Sequence, residues 1–258
     1  MKLAVTTPLR PSPAEEAAAR AAAAHHALPF TPRGHRSLEA ARAEAGADAL
    51  LVLSARHSAL VVDGEERRWS PGMGALRAKR AAAGAAAGPP DPFLTAAGIG
   101  PGDAVLDCTL GLGADALVAA VAAGPRGRVV GLEASPALAA WVAEGLARHP
   151  DPAARRVEVR AAEHRAALAA LPPRSFDVVV FDPMFRHARA EPGGFDLVRR
   201  LAQASPLAAE ALRDARRVAR RWVVVKDGAP GWDLARLGLV PLPSARGAHR
   251  YYARLAPE

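Results

Sequence analysis

Residues 104–117 read AVLDCTLGLGADAL, an apolar strand end followed by a glycine-rich loop and an apolar helix. The predicted strand stops at Asp107, and Gly111 and Gly113 permit the tight turns that let a ligand approach the backbone closely. The helix is predicted to begin at Asp115 and to stop at a Gly-Pro pair. A strand, a glycine loop and a helix in this order are typical of the first unit of a nucleotide-binding α/β domain.

The composition of the loop favours S-adenosylmethionine over a dinucleotide as the ligand. Dinucleotide loops follow the pattern G-x-G-x-x-G, whereas residue 116 is alanine in this chain. A carboxylate at the strand end suits a ligand that carries an ammonium group and would repel a pyrophosphate. The cofactor contacts predicted from this segment are Asp107, Gly111, Leu112, Gly113, Ala114 and Asp115.

Two further strand ends carry acidic residues. Residues 128–133, RVVGLE, predict a strand ending in Glu133, whose carboxylate can accept hydrogen bonds from both ribose hydroxyls of a nucleoside. The strand at residues 157–160 leads to Glu163 and His164, which are placed to meet or flank the adenine edge. An alternative for Glu163 is a solvated acid at a helix start. The cofactor contacts predicted from these two segments are Glu133, Ala134, Glu163 and His164.

Residues 176–185, FDVVVFDPMF, predict a fully buried strand that ends in an acidic turn. Pro183 ends the strand because it has no N–H for the ladder. Asp182 and Phe185 are therefore expected at the carboxyl edge of the sheet, where open α/β folds bind their ligands. We predict Asp182, Pro183 and Phe185 as catalytic residues, with Asp182 also contacting the cofactor. The alternative is a strand that ends in an ordinary turn.

Four segments together resemble a known family. DCTLGLGADAL, LEASPALAAWVAEGL, FDPMF and VVVKDGAP are similar, in order and spacing, to the small-subunit ribosomal RNA methyltransferase J family, RsmJ. Members of that family are class I S-adenosylmethionine enzymes that methylate the exocyclic N2 of a guanine. The resemblance implies S-adenosylmethionine as cofactor and ribosomal RNA or the small ribosomal subunit as partner. After FDPMF the family usually has Pro-His-Lys, whereas this chain has Arg186, His187 and Arg189, which we predict as weak RNA contacts.

Methylation of an exocyclic amine needs positioning more than covalent catalysis. Asp182 and the carbonyl of Pro183 are expected to accept the amine hydrogens, so that the nitrogen lone pair faces the methyl donor. Phe185 is expected to stack on the base. Adenine and cytosine amines suit the same geometry. Two rival functions remain open: a class I methyltransferase acting on a small molecule or a protein side chain, and a non-catalytic RNA-binding protein.

The charge of the chain favours a polyanionic partner. The net charge is +8, and it is carried almost wholly by arginine. A helix predicted from residue 206 to about 220 would place Arg213, Arg216, Arg217 and Arg220 on one face. One interpretation is that this face contacts phosphates, joined by Arg77, Lys79 and Arg80. The alternative is a solvated face. If this basic helix faced away from the sheet edge that carries Asp182, a small molecule or a protein side chain would be the favoured substrate.

Composition also bears on the cellular compartment of the protein and on membrane and metal binding. Cys108 has no second cysteine to pair with, which is consistent with the cytoplasm. Arginine, proline or glycine interrupts each apolar run before it could span a bilayer, so no membrane partner is expected. No metal-ligand cluster is found, and no metal is expected.

The predicted fold is α/β, with a Rossmann-like class I methyltransferase domain and a small N-terminal α/β unit. The methyltransferase sheet is expected to be doubly wound and mostly parallel, because strands alternate with helices. Residues 239–242 and 249–255 are predicted to form a C-terminal antiparallel hairpin. The predicted domains are residues 1–80 and 92–258, joined by an Ala/Gly/Pro linker at 81–91.

Overall fold

The computed structural model describes residues 1–183, 201, 206–243 and 249–258. The chain divides into two compact units. The first comprises residues 1–70 and 140–155, and the second comprises residues 71–139 and 156–258. Phe185, Arg186, His187 and Arg189 lie outside the described residues.

The first unit contains a four-stranded sheet. Its elements up to residue 70 are β1 (Leu3–Thr6), α1 (Pro13–His25), α2 (Leu38–Glu44), β2 (Ala49–Leu53), β3 (Ser58–Val62) and β4 (Glu65–Arg68). The strands follow the order β1-β2-β3-β4, with β1 parallel to β2 and the other pairs antiparallel. The predicted Asp63-Gly64 turn joins β3 to β4, and both residues have positive φ, as a tight hairpin requires.

The remaining elements alternate between helices and strands. In chain order they are α3 (Met73–Ala83), α4 (Pro92–Ala97), β5 (Ala104–Asp107), α5 (Ala114–Ala123), β6 (Arg128–Glu133), α6 (Pro136–Arg148), β7 (Val157–Ala161), α7 (His164–Ala170), β8 (Phe176–Phe181), α8 (Ala209–Val218), β9 (Ala219–Gly228), α9 (Trp232–Arg236) and β10 (Arg250–Leu255). Short 3-10 helices occupy Gly84–Ala87 and Pro152–Arg156.

The second unit is built around a six-stranded sheet with the order β10-β9-β8-β5-β6-β7. Strands β5 to β9 are parallel, and β10 runs antiparallel to β9. The predicted Rossmann-like class I methyltransferase fold is confirmed. The strand order reverses between β5 and β8, so the carboxyl ends of these two strands form the crevice in which such sheets bind ligands.

The antiparallel closure of the sheet is confirmed, but its partner strand differs from the prediction. Strand β10 pairs with β9, with Arg250 opposite Gly228, and not with residues 239–242. Leu242 N–H does donate to the Tyr252 carbonyl oxygen at 2.7 Å. However, Pro241 and Pro243 on either side have no N–H to continue a ladder.

The helix predicted from residue 206 to about 220 is shorter in the structure. Helix α8 ends at Val218, and the chain is extended from Ala219 onward, so Arg220 lies on β9. The backbone leaves the helix here because Arg174 and Ser175 N–H donate to the carbonyl oxygens of residues 217 and 218, at 2.9 Å each.

Helix α3 belongs to the second unit, although the sequence placed the domain boundary at residue 80. It extends to Ala83, inside the segment predicted as a linker, and its N-terminal turn packs against the first turn of α5. Gly74 permits this contact, because a Cβ at that position would lie 2.7 Å from Ala114 Cα.

We predict that Gly74→Ala lowers the free energy of unfolding by about 1–3 kcal/mol, because the added methyl group meets backbone atoms that cannot yield without shifting a helix. Urea denaturation measures the change. The matched control is Gly100→Ala, because a Cβ there has no atom within 4 Å, and this variant is expected to unfold like the wild type. Equal midpoints for both variants would contradict the close packing of α3 on α5.

Candidate active site

The glycine loop is held in place by backbone hydrogen bonds and by one apolar contact. Gly111 and Gly113 have φ values of 51° and 76°, so the chain turns twice before α5 begins. Leu110 N–H donates to the Leu132 carbonyl oxygen at 3.0 Å. The Leu110 side chain fills the space above Gly131, where a Cβ would lie 2.5 Å from its Cδ1 atom. Leu112 and Ala114 are half-buried beside these turns.

Glu133 ends β6 directly beside this loop. Its two carboxylate oxygens accept hydrogen bonds from Gly111 N–H at 3.2 Å and from Ser135 N–H at 2.9 Å. Burial raises the pKa of the Glu133 carboxyl, although these backbone donors oppose the shift. A carboxylate has about four acceptor sites, so Glu133 retains capacity to accept from the ribose hydroxyls predicted for it. Ala134 follows and is half-buried.

Asp107 is a buried acid at the end of β5, only 4% exposed. Burial raises the pKa of its carboxyl to about 7, and the neighbouring carboxylates of Asp115 and Asp182 add to the shift. Thr109 N–H, 3.0 Å from the carboxylate, partly offsets it. An ammonium group bound here would supply the cation that favours the charged form. The residues present therefore fit the amino-acid end of S-adenosylmethionine.

A buried lysine joins two more acids of the site. Lys226 on β9 donates to Asp115 at 2.7 Å and also to Asp182. Burial alone would lower the pKa of this ammonium group, but the carboxylates of Asp182 and Asp115 raise it overall. Lys226 therefore stays charged and ties the end of β8 to the first turn of α5.

Asp115 has a second cation on its other side. Arg77 of α3 pairs with Asp115 and also with Asp91, 2.7 Å from its Nε. Burial alone would raise the pKa of Asp115, but the Lys226 and Arg77 cations outweigh burial and lower it. Its predicted role as a cofactor contact stays a prediction, because both carboxylate oxygens already accept from these cations.

Asp182 and Pro183 lie at the carboxyl edge of β8, as the sequence predicted. Asp182 N–H donates to Thr109 Oγ1 at 2.6 Å, so the acidic turn is fixed to the glycine loop. The Asp182 side chain is 28% exposed, whereas Pro183 is buried. Burial raises the pKa of Asp182, and Lys226 opposes that shift. Phe185, the third predicted catalytic residue, is outside the described part of the chain.

Glu163 and His164 stand at the start of α7. The Glu163 carboxylate caps this helix by accepting from Arg165 N–H at 3.0 Å and from Ala166 N–H at 3.2 Å. The His164 ring packs edge-on against Phe181, with 5.7 Å between ring centroids. The helix-start role of Glu163 is thus observed, and an adenine contact by either residue stays a prediction.

The predicted basic face is largely engaged within the protein. Arg216 Nε donates to the Ala256 carbonyl oxygen at 2.8 Å, Arg217 donates to the Leu168 and Leu171 carbonyl oxygens, and Arg220 pairs with Asp177 at 3.3 Å. Arg213 is exposed. The C-terminal end of α8 leads into the start of β9, so these arginines lie toward the sheet edge opposite Asp182.

Sequence reasoning missed three members of the charge cluster: Arg77, Asp91 and Lys226. The sequence does contain a signal for Lys226, which directly follows the apolar run WVVV. A lysine at such a buried position indicates a carboxylate partner, because an unpaired lysine is costly to bury. Arg77 was predicted beside Lys79 and Arg80 as an RNA contact, but it is committed to two carboxylates, whereas Lys79 and Arg80 are exposed.

Within the described part of the chain, no group of three or more His, Cys, Asp or Glu side chains is arranged to hold a metal ion. The helices in that part are also too short or too polar to cross a membrane.

The parallel sheet, the glycine loop and the strand-end acids define a class I S-adenosylmethionine-dependent methyltransferase. Residues 74–236 match the family model described as "Putative SAM-dependent methyltransferase", and the chain belongs to that family. The matched region starts in α3, so it includes Arg77.

One relative and one solved structure extend this comparison. The chain is 34% identical over 229 residues to the uncharacterized protein YpiP of Bacillus subtilis, covering 86% of this chain and 88% of YpiP. Its fold is similar to the crystal structure of the SAM-dependent methyltransferase NGO1261 from Neisseria gonorrhoeae, with a TM-score of 0.65 and 21% identity. That similarity covers 98% of this chain and 96% of NGO1261.

We predict that Glu133→Ala weakens the binding of S-adenosylmethionine by about 1–3 kcal/mol, because it removes the acceptor for the ribose hydroxyls. Isothermal titration calorimetry measures the affinity. Glu158→Ala is the matched control: Glu158 lies on β7, where its carboxylate pairs with exposed Arg128 and Arg160. The assignment of Glu133 fails if the two variants bind the cofactor equally well.

The raised pKa of Asp107 predicts pH-dependent cofactor binding. Below pH 7 the free protein holds a proton on Asp107, and an ammonium ligand must displace it. The dissociation constant should therefore rise as pH falls from 7 to 6, by up to about tenfold. Calorimetry in buffers of different ionisation enthalpy also counts the released proton.

Asp107→Asn serves as the control for this titration. The variant should bind more weakly at every pH, and it should lose the pH dependence between 6 and 8 because the amide does not ionise. A wild-type affinity that stays constant from pH 6 to 8 would contradict the role of Asp107 as the ammonium partner.

Proposed function

We propose that this methyltransferase modifies an exocyclic amine of RNA, with guanine N2 of small-subunit ribosomal RNA as the acceptor. The resemblance of four segments to the RsmJ family supports the substrate. The observation that carries the chemistry is the position of Asp182 and Pro183 at the β8 edge, hydrogen-bonded to the glycine loop through Thr109.

The cofactor supplies an electrophilic methyl group on a sulfonium, so the chain needs to orient the acceptor nitrogen. One oxygen of Asp182 accepts from Lys226, and no described residue donates to the other, so that oxygen can accept an amine hydrogen in this proposal. Pro183 has no N–H to compete for that oxygen, and its carbonyl is the second acceptor in this proposal. Two acceptors on one amino group turn the nitrogen lone pair toward the methyl group.

A small molecule or a protein side chain is the second candidate substrate. It is favoured by the arginines of α8 and the start of β9, because they lie toward the opposite sheet edge and most of them bind groups of the protein itself. The non-catalytic alternative has less support, because the chain belongs to a methyltransferase family and keeps Asp107 and Glu133.

The decisive experiment incubates undermethylated small ribosomal subunits with labelled S-adenosylmethionine and identifies the modified nucleoside. Label in N2-methylguanosine supports the proposal. Label in adenosine or cytidine would show that the acceptor is a different base, while methylation of an exocyclic amine would still hold. Label in protein, or none while a small amine is methylated, rejects the RNA substrate.

In the same assay we predict that Asp182→Asn lowers turnover by at least about 100-fold, because an acceptor aligned for the reacting amine is lost. Asp177→Asn is the matched control. Asp177 lies at the opposite end of β8, where its carboxylate binds Ala104 N–H at 2.8 Å. An Asp182→Asn enzyme that turns over at the rate of the control would remove Asp182 from the acceptor site.

A further inference from the structure

Trp232 is a large aromatic side chain that the fold leaves in solvent. It is 64% exposed, whereas Trp141 is 3% exposed and Trp69 and Trp222 are half-buried. Arg254 stacks on Trp222, but no ring or guanidinium group of the described residues stacks on the Trp232 indole. Tryptophan is enriched at binding interfaces, because its ring offers a large apolar face and its N–H a hydrogen-bond donor.

The backbone around Trp232 is fixed on both sides. Gly231 has a φ of 92°, and its N–H donates to the Gly228 carbonyl oxygen at 2.7 Å. One oxygen of the buried Asp227 accepts from the N–H groups of residues 233 and 234, at 2.8 and 3.1 Å, and so clamps the first turn of α9. The exposed indole is therefore presented from a fixed turn.

This turn lies at the same sheet edge as Asp182. Strand β9 carries Lys226, which binds Asp182, and ends two residues later at Gly228. Arg250 is the residue of β10 opposite Gly228. Its side chain is exposed and makes no hydrogen bond or ion pair with the described residues, yet its charge acts on the Asp182 carboxyl. Among the residues that the structure describes, an arginine without a hydrogen-bonded partner and an exposed aromatic ring thus lie at the acceptor end of the sheet.

We propose that Trp232 and Arg250 form a nucleotide-binding subsite for the single-stranded RNA that flanks the methylated base. The indole stacks on a neighbouring base, and the guanidinium contacts a phosphate. This inference rests on the proposed RNA substrate and adds a site that holds the segment beside the reacting amine. An aromatic ring can stack on any base, because every base has a π-face. A nearby arginine neutralises a negative charge of the RNA phosphate backbone.

The arrangement fits RNA better than a peptide. A peptide subsite would need backbone donors or an apolar pocket around the aromatic ring. Here the exposed indole follows β9 at the same sheet edge at which Arg250 begins β10, an arrangement that suits a base and a phosphate of one nucleic-acid strand. The test therefore has to distinguish an RNA strand from a peptide as the occupant of this subsite.

The first test uses binding of a single-stranded RNA oligonucleotide, followed by quenching of tryptophan fluorescence. Trp232→Ala should weaken binding roughly tenfold and remove most of the quenching, whereas Trp232→Phe should keep near wild-type affinity because it retains a stacking ring. Arg250→Gln should lower the slope of the logarithmic salt dependence by about 0.7. Arg126→Gln is the matched control, because Arg126 is an exposed arginine that precedes β6 at the opposite edge.

The second test measures methylation of the small ribosomal subunit. Trp232→Ala should raise KM about tenfold with an unchanged affinity for S-adenosylmethionine. A wild-type enzyme that labels RNA, with Trp232→Ala showing the same KM, overturns the subsite and leaves the proposed function standing. A wild-type enzyme that labels no RNA overturns both. A Trp232→Ala effect confined to a protein substrate also overturns the RNA subsite.

Discussion

The buried ammonium group of Lys226 is the contact on which the site depends. It lies between Asp115 on α5 and Asp182 after β8, so one side chain of β9 connects three elements of the second unit. Two carboxylates close together in a partly dry site repel each other unless a cation separates them. Removing one partner of such a buried pair typically costs about 3–5 kcal/mol, so the same contact that orders the site also stabilises the fold.

Local signals made much of the site predictable. The strand end at Asp107, the turns at Gly111 and Gly113, and the acid at Glu133 each follow from residue types at a fixed spacing along a short stretch of chain. Their position at one sheet edge follows as well, because the carboxyl ends of parallel strands meet there. The structure agrees on these elements, including the hydrogen bond from Gly111 to Glu133 that joins two of the predicted segments.

The remaining features depend on contacts between distant residues, which no local pattern encodes. Arg77 reaches Asp115 across 38 residues, and Lys226 reaches it across 111. The partner of β10 could not be predicted either, because residues 239–242 and the centre of β9 both present apolar residues, and tertiary packing chooses between them. The arginines of α8 had a helical spacing typical of a solvated or phosphate-binding face, yet Arg216 and Arg217 donate to carbonyl oxygens of the C-terminal segment and α7.

The cluster formed by Arg77, Lys226 and their carboxylate partners has a net charge opposite in sign to that of the whole protein. The chain carries a net charge of +8, but the cluster holds two cations against three carboxylates, before Asp107 is counted. A negative, partly buried pocket attracts a sulfonium more strongly than an uncharged thioether. The cluster would therefore favour the positively charged donor over its uncharged thioether product through this electrostatic attraction.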